Sequence, residues 1–298
     1  MESVIFLIFN RPETTKKVFE RIREAQPSQL FIVADGPRLD RFEDKERCKE
    51  ARRIAEQVDW DCQVFRNFSE TNLGCKARVE SGLSWAFEEI DRAIILEDDC
   101  LPDASFFRFC SELLDYYEND ERVMAISGNN FQFGCERTKD SYYFSRYPHC
   151  WGWATWKRAW RHYDADMQFW PQVKQDNRLK DIFYGRTAIS YWHSIFQRTY
   201  TGDIDSWDYV WTLACWLQSG LCILPKNNLV SNIGFAADGT HLTYAKSPFS
   251  NMSTTEMTFP LKHPSIVLRN DQADRFTQFY QFGLLFRLYR KIRSIVRY

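Results

Sequence analysis

The chain has 298 residues, 44% of them hydrophobic and 16% aromatic, including 24 Phe and 11 Trp. That length suits one large α/β domain or about two smaller ones, with enough apolar material for a sizeable core. With 39 basic against 40 acidic residues the net charge is −1, which excludes the basic excess of a general nucleic-acid binder.

Taken in order, Val4–Phe9 reads as a buried strand. It is too short to span a bilayer and lacks a basic flank and a cleavage site, so no signal peptide is expected. Asn10 to Thr15 is a turn opening a helix, with Pro12 early and Glu13 in the first turn. Leu30–Ala34 is a second strand, ending at Asp35-Gly36-Pro37. A charged helix is expected over 38–58, a short strand over 63–66, a loop at Asn72-Leu73-Gly74-Cys75 and an amphipathic helix over 76–90. Ala93-Ile94-Ile95-Leu96 is a fourth strand that runs into Glu97-Asp98-Asp99. Strands alternating with helices imply parallel pairing and a doubly wound half-sheet.

A helix over 105–117 and a strand over 123–128 follow. From Asn129 to Trp170 the chain reads as irregular and very aromatic, including Trp151, Trp153 and Trp156. Helices are expected over 189–200 and 207–219, the second apolar nearly all round and therefore deeply buried. A strand over 221–225 and a polar loop from Asn232 to His241 complete the body. The expected organisation is one domain over 1–250, with a nucleotide-type half (1–128) and an acceptor-type half (129–250), and an extension over 251–298. The tail carries Arg287, Arg290, Lys291, Arg293 and Arg297 beside apolar residues. It fits peripheral contact with an anionic membrane surface or, equally, a terminal helix packed on the body. Nine scattered cysteines, with no C-x-x-C pair or zinc spacing, fit reduced thiols in a cytoplasmic enzyme.

In an open α/β sheet, ligands collect beyond the carboxyl ends of the strands. Arg11 there suits a phosphate, and Asp35 suits a nucleobase or ribose hydroxyl. Gly36 allows close backbone approach. The acid triplet can hold a hard divalent cation, since such ions take oxygen ligands. The competing readings are turn residues for Asn10 and Asp35, a surface charge for Arg11 and a solvated acidic turn for the triplet. No P-loop and no G-x-G-x-x-G follow the first strand. Asp208 follows Trp207 at the start of an apolar helix, where it serves as a general base or as a helix-start residue beside Ser206.

Glu97-Asp98-Asp99 after an apolar strand resembles the "DxD" element of GT-A-fold glycosyltransferases, and the continuation to Pro102-Asp103 and Phe106-Phe107 is similar to the N-acetylglucosaminyltransferase I family. Asn10-Arg11-Pro12 and Asp35-Gly36 resemble the first two strand ends of bacterial family 2-type sugar transferases. Gly152 to Trp156 looks like the fold's acceptor loop, Trp207-Asp208 matches its Trp-Asp pair, and Gly239-Thr240-His241 matches its late histidine. The resemblance implies a GT-A, Rossmann-like fold with a mostly parallel sheet. It implies an inverting transfer from a nucleoside diphosphate sugar, UDP-sugar favoured, to a glycan or lipid-linked glycan hydroxyl. Mn²⁺ or Mg²⁺ would be held by Asp99 and His241. The donor would be held by Asn10, Arg11, Asp35, Gly36, Asn72 and Asp98, and the acceptor by Trp153 and Trp207, with Asp208 as base. A sugar-1-phosphate nucleotidyltransferase and a non-catalytic glycan-binding protein are the alternatives.

Overall fold

The structure is a computed structural model that describes residues 2–235 and 247–283. His241, with Gly239 and Thr240, and the basic part of the tail lie outside the described residues.

The strands are β1 (Val4–Ile8), β2 (Gln29–Ala34), β3 (Gln63–Phe68), β4 (Arg92–Glu97), β5 (Cys100–Pro102), β6 (Val123–Ser127), β7 (Tyr142–Ser145), β8 (Trp153–Trp156), β9 (Leu221–Pro225) and β10 (Val230–Asn232). The helices are α1 (Pro12–Ala25), α2 (Asp44–Ala55), α3 (Cys75–Glu89), α4 (Ala104–Tyr116), the short α5 (Lys157–Trp160), α6 (Trp170–Gln175) and α7 (Leu179–Ile182), then α8 (Arg186–Tyr200), α9 (Trp207–Leu217) and α10 (Asp271–Tyr280).

Eight strands form one sheet in the order β3-β2-β1-β4-β8-β6-β9-β7. β1 pairs in parallel with β2 and β4, and β2 with β3. β8 runs antiparallel between β4 and β6, and β7 antiparallel to β9. This is the α/β, Rossmann-like architecture expected, with a mostly parallel sheet covered on both faces. The alternation along β1 shows why both faces must be covered. Ile5 and Leu7 pack with Leu83, Phe87 and Trp211 on one face, while Val4, Phe6 and Ile8 pack with Val18, Phe19 and Phe109 on the other.

One expectation needs correction. The stretch after Gly128 is not irregular throughout, because it supplies β7 and β8 to the sheet. All four residues of β8 are buried, so no polar-apolar alternation marks the strand, and the aromatic run masks it. The expected loop from Gly152 to Trp156 is therefore mostly a central strand, Ile95 pairing with Trp153. After the acid triplet the chain leaves the main sheet. Asp98 and Asp99 form a two-residue turn, and β5 then pairs antiparallel with β10.

Residues 247–283 pack on the body. Met257 N–H donates to Ser105 Oγ at 2.9 Å, and Asp274, 2% exposed, accepts from Ser145 Oγ and Arg146. No helix among the described residues is long and apolar enough to cross a membrane.

Candidate active site

Strand register builds the site. Ile8 pairs with Ala34, and Leu7 with Glu97, so three strands end on one line. The next residues of each strand, Asn10-Arg11, Asp35-Gly36 and Asp98-Asp99, therefore lie along one edge. A cleft of about 870 Å³ opens there, lined on that edge by Arg11, Asp35, Asn72 and the acid triplet, and opposite by Trp207 and Asp208.

Arg11 holds the N-cap position of α1, and its Nη1 lies 2.6 Å from Asp99 Oδ2 and 3.9 Å from Asp98 Oδ1. Asp98 Oδ2 also accepts from the Phe9 N–H at 3.0 Å. β10 brings its own groups to the same turn. Ile233 N–H donates to the Asp99 carbonyl at 2.8 Å, and Asn232 Nδ2 lies 3.4 Å from Asp99 Oδ1. A Cβ on Gly234 would overlap the Asp99 carboxylate, so only glycine lets this strand approach.

The triplet concentrates negative charge away from water. Burial pushes the Glu97 carboxyl well above its ordinary value, and Asp99, Asp98 and Asp208 push it further, against Arg11. Asp98 is also raised by burial; Arg11 opposes this and Asp99 reinforces it. The same charges hold Arg11 firmly protonated, although its burial works the other way.

Asp35 is 5% exposed and already fully bonded. Its Oδ1 accepts from Gly36 N–H (2.8 Å) and Leu73 N–H (2.9 Å), and its Oδ2 from Asn72 Nδ2 (2.9 Å) and Gly74 N–H (3.2 Å). A carboxylate offers about four lone-pair positions, so Asp35 spends them pinning the 72–74 loop. Gly36 approaches that loop: a Cβ there would overlap the Thr71 backbone. Asn10 faces away from the cleft, its Nδ2 donating to Asp44 Oδ1 at 2.7 Å. Asp44 in turn pairs with Arg38 at 2.6 Å, which lowers its pKa against the cost of burial.

Asp208 lies in the first turn of α9 and takes a hydrogen bond from Ser206 Oγ. Ser206 holds the N-cap position without a side-chain cap bond, and Asp208 is the acidic residue of the first turn, as the helix-start alternative expects. Trp207, 3% exposed, stacks on Trp153 at 5.5 Å with the planes 24° apart. Trp153 itself is 1% exposed, held among Trp160, Trp207 and Trp211 behind the cleft wall. Its ring supports Trp207 and does not reach the cleft.

Several lining residues were not singled out from sequence. Arg78 of α3, 7% exposed, lines the cleft and donates to Asn67. Asn129 follows the end of β6, so the strand-end rule that found Asp35 would have found it. His149, Asn232 and Gly234 carried no local signal. Among the described residues, no three His, Cys, Asp or Glu side chains converge to hold a metal by themselves.

No family model matches the chain, and no curated protein matches it. Among solved structures it is similar to HddC from Yersinia pseudotuberculosis, at 9% identity and a TM-score of 0.31 over 53% of this chain and 78% of that one. It is also similar to a UDP-glucose pyrophosphorylase complexed with UDP-glucose, at 11% identity and 0.28 over 49% and 62% of the two chains. A third is the galactosyltransferase LgtC in complex with donor and acceptor sugar analogs, at 13% identity and 0.37 over 94% and 95%. Likeness at this level leaves function to be argued from the site.

Proposed function

We propose that the chain is a metal-dependent, inverting glycosyltransferase. It would move a hexosyl or N-acetylhexosaminyl group from a nucleoside diphosphate sugar, UDP-sugar favoured, to a hydroxyl of a glycan or lipid-linked glycan. The observation that carries this reading is the meeting of Arg11, Asp98 and Asp99 with Asp208 across one cleft.

The donor set fits a hard cation. The acid turn offers only oxygen donors, and its crowding raises the Glu97 and Asp98 carboxyl pKa values, a strain that a divalent charge relieves. Mg²⁺ sites commonly use one or two carboxylates plus substrate phosphates, so a complete protein cage is not required. Asp99, with His241 as a further candidate, would hold Mn²⁺ or Mg²⁺, which when bound neutralises a leaving diphosphate. Arg11 would add a second positive charge on the same group, and Asp98 would accept from a ribose hydroxyl. Asp35 would act through the loop it pins, setting the shape of the base pocket with Gly36 and Asn72. Asp208 would take the proton of the acceptor hydroxyl as it attacks. Trp207 would give that acceptor an aromatic wall, with Trp153 behind it. One carboxylate, Asp208, placed to take the acceptor proton supports direct displacement and so inversion. The test is a screen of nucleotide-sugars for binding and hydrolysis, with Mn²⁺ and with chelator. Binding that is strengthened by Mn²⁺ supports the reading, and no binding in either condition defeats it.

A further inference from the structure

We propose that Asn129 and His149 form a subsite on the acceptor-side wall that reads an uncharged, hydroxyl- or amide-bearing sugar ring. The proposal deepens the sugar-transfer reading and rests on it. Asn129 is fully buried, and its Oδ1 accepts from the Trp151 N–H at 3.1 Å, which fixes the amide's orientation. Its Nδ2, with two N–H donors, has no partner. His149 is 8% exposed, and its Nε2 also has no partner. Its ring is clamped by Phe131 edge-on at 4.6 Å and by Tyr147 stacked at 6.4 Å. Both residues line the cleft. A buried polar atom left unpaired is costly, and here two of them belong to residues that line one cavity, so a ligand that reaches them would satisfy both.

The chemistry of that ligand follows from the groups. Asn129 Nδ2 can only donate, whereas Nε2 of a neutral imidazole donates or accepts according to tautomer. Burial pushes His149 down to about 3, so it stays neutral and offers no charge to a carboxylate or phosphate. Hydroxyl groups, which both donate and accept, match this pair, as does an amide carbonyl. Phe131 and Trp151, packed edge to face at 5.4 Å, add apolar surface for the C–H face of a ring.

Position assigns the pair to the acceptor side. The nucleotide-side groups lie at the ends of β1, β2 and β3, and the acid triplet at the end of β4. Asn129 lies past β6, which is separated from β4 by β8. Asn129, His149, Cys150 and Asp208 line the same cleft, and the charges of Asp208 and Glu97 act on Cys150.

The test uses the full chain with N-acetylglucosamine, galactose and glucuronic acid as probes, read by ligand-observed NMR and titration calorimetry, with and without saturating UDP. Neutral sugars should bind the wild type, and Asn129→Leu and His149→Phe should each weaken them by roughly tenfold or more. His149→Gln should restore part of that loss. UDP affinity should stay as in the wild type, and melting temperature should hold or rise because an unpaired buried group is removed. Four results overturn the subsite: neutral sugars binding the variants as well as the wild type, glucuronic acid preferred over them, no sugar binding the wild type in either condition, or lower melting temperature with sugar affinity intact. If UDP fails to bind but Asn129-dependent sugar binding persists, the subsite stands and the transferase reading falls.

Discussion

The two walls of the cleft are built on opposite terms. On the nucleotide side, polar groups are committed to one another: Asp35 is bonded to Gly36, Asn72, Leu73 and Gly74, and Arg11 to Asp99. On the acceptor side, Asn129 and His149 sit among aromatic rings with atoms left unpaired. The first wall is rigid and charged before any ligand arrives, which suits a ligand of fixed, high charge. The second is held by ring packing, so its hydrogen-bonding capacity is reserved for whatever enters. In the proposed transfer, charge would position one partner and neutral polarity would select the other.

That contrast can be broken by substitution. The largest effect is expected for Asp208→Asn. It should lower transfer by ~10² to 10⁴, the usual range for a lost general base, while calorimetry shows unchanged nucleotide affinity. Retained turnover would return Asp208 to a structural role. Next, Asp99→Ala should remove the strengthening of nucleotide binding by Mn²⁺ while leaving some metal-independent affinity through Arg11. An unaltered Mn²⁺ response would take Asp99 out of the metal site.

Asp35→Ala should cost about 1–3 kcal/mol of stability in urea unfolding, because backbone N–H groups of the 72–74 loop lose their acceptor. It should weaken nucleotide binding as that loop loosens. A variant with native stability would show that the loop holds itself.

The smallest effect concerns pH. Glu97 has its folded pKa well above 4.5, through burial and the facing Asp99, Asp98 and Asp208, with Arg11 opposing. The folded state therefore binds this proton more tightly than the unfolded chain does. Stability is highest below the unfolded value and falls as pH rises towards and through the folded one. In chelator, Glu97→Gln should gain on the wild type as pH rises above the ordinary carboxylate range, and a constant gap would refute the shift.

Much of the nucleotide-side edge was legible because it obeys local rules. Buried strands of four to six apolar residues ended in polar residues, and alternation with helices implied parallel neighbours. The acceptor side was not legible. β7 and β8 have both faces buried, so they show no alternation, and an aromatic-rich strand reads like an aromatic loop. Trp153 was taken for an acceptor contact on its neighbourhood in sequence, whereas pairing with Ile95 turns it into the core.

The opposite error touched Asp35 and Asn10. Their types and positions suggested ligand contacts, but the structure gives their hydrogen bonds to the 72–74 loop and to Asp44. By itself, then, the sequence determined the strand ends and the charges they carry, because hydrophobic period and turn chemistry act over a few residues. Only tertiary structure decided which of those groups remain available. Whether an oxygen or N–H is already satisfied depends on partners such as Leu73, Asp44 and Trp151, brought in by separate elements of the fold.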